Sequence, residues 1–109
     1  MSADYSILGL CRKAGRLAVG HDAVIEAVRN GTAAQILLTS DASDRHKKEI
    51  AALNFPGETL FLPDTMDYVG FYTGKRCCIY AVTDAGFAAS VKKKTGGTLA
   101  PPRITNDNR

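Results

Sequence analysis

The sequence predicts an α/β protein, a three-layer α/β/α sandwich with a small mixed central sheet and about five helices. Three observations predict it. Amphipathic helical phrases alternate with the short apolar runs QILLTS, TLFLP and CCIYAVTD. Such runs suit strands that are covered on both faces. Glycines follow the helical phrases, where a helix needs a left-handed residue to stop. Finally, 109 residues, 45% of them apolar, suffice for one modest core.

The elements follow in order. A first helix is expected near residues 3–14, with Ile7, Leu10, Cys11 and Ala14 at helical spacing and Gly15 as its stop. Leu17 to Val19 is long enough for a short strand. The run GHDAVIEAVRNG, residues 20–31, reads as a second helix. Val24, Ala27 and Val28 form its inner stripe, widened by Ile25, and Asp22, Glu26 and Arg29 share another face. QILLTS is a buried strand. Ser40 or Asp41 caps a third helix reaching roughly Leu53, with Ile50 and Leu53 inward and Arg45, Lys47 and Lys48 in water. Pro56-Gly57 turns the chain into TLFLP, which Pro63 ends. Asp64 or Thr65 caps a fourth helix from about Met66 to Tyr72, and Gly74-Lys75-Arg76 turns into CCIYAVTD, the expected central strand. Thr83-Asp84 caps a last helix through Val91, ended by KKKTGG. Residues 1–94 therefore form the folded domain. Residues 95–109, rich in Pro, Asn and charge, are expected to be a disordered tail.

The composition excludes several function classes. No stretch approaches the ~20 apolar residues of a membrane span. MSADYSILGLCRKAGR lacks a secretory pattern, so a cytoplasmic protein is expected, with no membrane partner. The three cysteines, Cys11, Cys77 and Cys78, form no CxxC pair and support neither a disulfide framework nor a zinc site. His21 and His46 stand in separate segments. Gly70 to Arg76 imitates a phosphate loop but holds three residues between its glycines and Arg76 where Ser or Thr is needed. We expect no catalysis, no metal and no cofactor. The net charge of +3 permits nucleic-acid binding without demanding it.

Three segments, residues 15–43, YVGFYTGKR (68–76) and CIYAVTDAGFA (78–88), together resemble the kink-turn RNA-binding ribosomal protein family. That family groups the archaeal large-subunit protein seven type, the eukaryotic large-subunit protein thirty type and small bacterial relatives. The similarity spans roughly residues 4–92 and rests on the order of the segments, including the step Gly15-Arg16-Leu17-Ala18-Val19-Gly20 and the pair Gly70 and Gly74. It implies the same sandwich. It also implies an RNA surface at the start of the second helix and the loop before the last strand, where sheared G·A pairs and a flipped-out base are held. The site residues so implied are Arg16, Gly20, His21, Asp22, Gly74, Lys75 and Arg76. Arg16, Lys75 and Arg76 would meet phosphates, flanking the helix start, while backbone donors near Gly20 to Asp22 would face base edges. Arg12 and Lys13 would extend the patch.

The chain departs from the family's Gly-x-Asn-Glu-x-x-Lys helix start. Asp22 replaces the Asn, Ala23 the Glu and Glu26 the Lys. A carboxylate in place of a phosphate-facing cation is repulsive. The expected partner is structured RNA, a kink-turn or ribosomal element, in a ribosome or translation-factor context. The alternative is a protein-interaction module on the same scaffold with a degenerate RNA site, and behind it an accessory substrate-binding domain.

Overall fold

Successive residues of the two central strands face opposite cores. In a computed structural model, which describes residues 4–99, β4 (Ile79–Val82) sends Tyr80 and Val82 to one side and Ile79 and Ala81 to the other. β2 (Gln35–Leu38) divides Leu37 from Ile36 and Leu38 in the same way. Every residue of both strands is buried, which explains why these runs read as continuously apolar rather than alternating.

The short β1 (Leu17–Val19) flanks β4, and β3 (Glu58–Phe61) flanks β2, in the order β1-β4-β2-β3. β1 and β2 both run antiparallel to β4, while β2 and β3 are parallel, so the sheet is mixed as expected. The helices α1 (Ser6–Lys13), α4 (Met66–Thr73) and α5 (Ala85–Thr95) cover the face of Leu37, Tyr80 and Val82. The helices α2 (His21–Arg29) and α3 (Asp44–Ala52) cover the opposite face through Val24 and Ile50, joined by Ala42 of the loop before α3. The described residues thus form an α/β/α sandwich with five helices and four strands.

Three expectations are corrected. Leu10 is 57% exposed and Ala14 lies in water; Leu8 takes the place in the core beside Ile7 and Cys11. α1 packs against both α4 and α5 through the stripe of Ile7, Leu8 and Cys11, which turns the Leu10–Ala14 edge to solvent. The cap of α3 is Ser43, whose hydroxyl accepts the His46 N–H at 3.2 Å, rather than Ser40 or Asp41. Asp41 instead accepts the Met66 N–H at 3.0 Å and the Thr39 hydroxyl at 2.7 Å, so it serves the start of α4 across the sheet end. The last helix continues past Val91 to buried Thr95, whose hydroxyl bonds the Val91 carbonyl at 2.7 Å. Thr98 then pairs with Phe61 on the β3 edge. Residues 95–98 are therefore packed on the body, Leu99 is exposed, and residues 100–109 of the expected tail, like the expected first residue of α1, lie outside the described residues.

Candidate nucleic-acid interface

The β1–β4 pairing decides which predicted site residues meet. Val19 pairs with Tyr80, and the Gly20 N–H continues the ladder by donating to the Ile79 carbonyl at 3.0 Å. The start of α2 is thereby fastened beside the segment that leads from Arg76 into β4. Gly20 has φ +98, ψ 162, a backbone state that favours glycine, and its carbonyl accepts the Val24 N–H at 3.0 Å. Among the described residues no side chain caps this helix. Its first-turn amides are thus open to an acceptor from outside, in the positive end of the helix dipole.

The loop opposite is rigid. Gly74 closes α4 at φ +86, and its N–H reaches the Gly70 carbonyl at 2.8 Å. Arg12 donates to the Thr73 carbonyl. The Lys75 carbonyl accepts from the Thr73 hydroxyl at 3.1 Å and from the Tyr80 hydroxyl at 3.3 Å. Gly70 is needed beneath it: a Cβ there would stand 2.9 Å from both the Arg76 Cα and the Lys75 carbonyl oxygen. The glycine pair that imitates a phosphate loop therefore has two structural tasks, close approach at Gly70 and a left-handed stop at Gly74. Arg76 is drawn back onto Asp67, whose hydrogen bond and charge push the guanidinium pKa up. Lys75 is exposed and, among the described residues, has no ion-pair partner.

Arg16 does not flank the helix start. Its carbonyl accepts the Thr83 N–H at 2.9 Å, beyond the far end of β4, and its N–H bonds the Cys11 carbonyl. Four residues of extended chain place its Cα roughly 13 Å from that of Gly20. The sequence places Arg16 close to Gly20 in number; the strand between them carries it to the opposite rim. Arg12, by contrast, lies at the loop itself.

The helix start is more acidic than its own segment shows. The His21 imidazole lies 3.0 Å from Glu49 of α3 and 3.3 Å from the fully exposed Asp22. The His46 ring comes within 6.2 Å of His21, although the two stand in different segments. No periodicity links Glu49, His46 or Asp67 to the sites they reach, whereas Arg12 lies at the loop it was expected to extend. Among the described residues no group of His, Cys, Asp or Glu is arranged to hold a metal ion, and no helix is long and apolar enough to cross a membrane.

No family model matches the chain. A protein of unknown function from Bacillus halodurans has a solved structure that superposes with a TM-score of 0.74 at 28% identity, over 82% of this chain and 92% of that one. The Giardia lamblia 15.5kD RNA binding protein shares the fold, with a TM-score of 0.65 at 12% identity over 84% of this chain and 83% of that one. The Bacillus subtilis RNA-binding protein YlxQ is 34% identical over 86 residues, which are 77% of this chain and 86% of that protein. On that identity and coverage, the chain belongs to the family of Bacillus subtilis YlxQ.

Proposed function

We propose that this chain binds structured RNA, a kink-turn or a related ribosomal element, between the start of α2 and the Gly74–Arg76 loop. The observation that carries this reading is the bond from the Gly20 N–H to Ile79, which fastens an uncapped helix start beside a loop bearing two cations. His21 and Asp22 then present backbone donors to base edges or phosphate, Gly20 lets the RNA approach the backbone closely, and Gly74, Lys75 and Arg76 form the opposing jaw. Arg16 adds only long-range attraction from the far rim. The relatives named as RNA-binding, YlxQ by sequence and the 15.5kD protein by fold, support the same reading. The activity is binding without catalysis, in the cytoplasm and in the company of ribosomal components or translation factors.

The chemistry bounds the affinity. Asp22 and Glu26 are exposed, and Glu49 stands behind His21. Among the described residues Arg76 is held by Asp67, while Lys75 has no ion-pair partner and Arg12 is bonded to the Thr73 carbonyl, so few phosphates are neutralised and the salt dependence is shallow. The test is an anisotropy titration of a kink-turn RNA and of a plain duplex of equal length, each at two salt concentrations. Preference for the kink-turn by tenfold or more supports the site. Equal weak binding to both refutes kink-turn recognition, and binding to neither moves the function to a protein partner.

A further inference from the structure

The groove between α1 and α4 adjoins the site above and shares Gly74 with it. Gly9 forms its floor, where a Cβ would stand 3.0 Å from the Tyr72 carbonyl oxygen, so the two helices cross closely. Leu10 and Phe71 are its walls, and Arg12 and Lys13 are on its rim. Both walls are unusually open to water, Leu10 at 57% and Phe71 at 82%. Among the described residues no carboxylate lines the groove; Asp67 lies in the neighbouring depression beyond Phe71.

Phe71 is exposed but its base is fixed. It meets Tyr72 edge to face at 5.5 Å and 83°, and Tyr72 packs in turn on Tyr68 at 5.6 Å and Tyr5 at 6.0 Å. The buried Tyr5 hydroxyl is anchored on Asp64 at 2.9 Å. Rings backed in this way lose little freedom when a flat group lies on them. The apolar area is small. Phe71 and Leu10 together offer a few hundred Å² at most, well under the ~800 Å² per partner of a stable dimer. That area suits one or two nucleobases, and the two rim cations complement phosphate. An exposed aromatic face beside Arg and Lys is how single-stranded RNA is held. The groove is also continuous with the loop, because Thr73 and Gly74 line its end and Arg12 bonds the Thr73 carbonyl.

We propose that the α1–α4 groove takes one or two unpaired nucleotides of the bound RNA, with a base stacked on Phe71 against Leu10 and its phosphate between Arg12 and Lys13. This rests on the RNA-binding reading and extends it to a second contact, which selects RNA whose strand continues unpaired past the loop.

The test uses one kink-turn RNA in two forms, blunt and with a four-nucleotide unpaired extension carrying 2-aminopurine. Wild-type chain and the Phe71→Ala variant are titrated with each, alongside a melting curve for the variant. The extension is expected to tighten wild-type binding roughly tenfold, the scale of one stacked base. Phe71→Ala is expected to remove that gain, leave the blunt RNA within twofold, and leave the melting temperature unchanged. An extension without effect on wild-type affinity, or a gain that survives Phe71→Ala, overturns the proposal while the kink-turn reading stands. If wild-type chain binds neither form, the kink-turn reading fails, and the groove is judged on the free single-stranded oligonucleotide: 2-aminopurine binding abolished by Phe71→Ala supports it, and no binding overturns it. Self-association by sedimentation that disappears in Phe71→Ala assigns the groove to a second copy and also overturns it.

Discussion

Replacing Gly70 by Ala sets helix propensity against packing. In a helix interior the change favours Ala by about 1 kcal/mol. Here the added Cβ meets the Arg76 Cα and the Lys75 carbonyl oxygen at 2.9 Å, both backbone atoms. Neither can swing aside as a side-chain tip would. The loop must retreat by roughly half an ångström, to ordinary contact distance. Its retreat is opposed by the Thr73 and Tyr80 hydroxyls on the Lys75 carbonyl and by the Arg76–Asp67 pair. Overpacking costs about 1 to 3 kcal/mol, and one weakened internal hydrogen bond costs about 1 kcal/mol more. Set against the propensity gain, the net loss is on the order of 1 to 3 kcal/mol, or about 5 to 20 °C in melting temperature for a domain of this size. Thermal denaturation followed by circular dichroism measures it, with Gly86→Ala for comparison, because a Cβ there meets no backbone, only the Asp84 Oδ2 at 3.2 Å that caps α5, so its cost is at most that of a weakened cap, about 1 kcal/mol. RNA affinity should fall with Gly70→Ala even well below the melting temperature, since the displaced loop carries Lys75 and Arg76. A melting temperature unchanged or raised by Gly70→Ala would refute the clamped-loop argument.

Charge reversal at both Lys75 and Arg76 is expected to weaken RNA binding at least tenfold and flatten its salt dependence, whereas Arg16→Glu should cost less than threefold; equal losses would contradict the separation that β1 imposes. Asp41→Ala removes the acceptor of the Met66 N–H and should destabilise by about 1 kcal/mol, as the loss of a helix cap does, while Ser40→Ala should be neutral in the same urea melts. Burial pushes the Cys11 thiol up to about 11 from its ordinary value of 9.0. The neutral thiol is thus favoured in the folded state, so its stabilisation is complete below pH 9 and is lost as pH rises towards 11, on the order of 2 to 3 kcal/mol. Melting temperature against pH should show this alkaline fall reduced in Cys11→Ala relative to its own value at pH 7. Iodoacetamide should modify the half-buried Cys77 before the buried Cys11 or Cys78 in native protein; faster labelling of Cys11 would show that the α1 side opens.

Order and type of the elements were legible because they are local properties. Gly15 and Gly74 stop α1 and α4 wherever those helices pack, and the unbroken apolarity of β2 and β4 announces a sheet covered on both faces. Leu10 departs from expectation because periodicity marks a helix's apolar stripe but not which edge of it the neighbouring helices cover. The cap of α3 was misplaced because Ser40, Asp41 and Ser43 all have capping chemistry, and the choice falls to contacts distant in sequence: Asp41 is taken by Met66 of α4.

The alternation of helices and strands, the glycine stops and the cations in the loop before β4 are written in the local order of residues. Each depends on residues within a turn or two of one another. Which of those cations share a rim follows from packing across the sheet. Antiparallel pairing of β1 with β4 brings Gly20 beside the loop and sends Arg16 to the other end. The same packing sets Glu49 behind His21, ties Arg76 to Asp67 and leaves Phe71 open above α1. Charge and exposure at a site are sums over whatever the fold gathers there, and no one segment contains that sum.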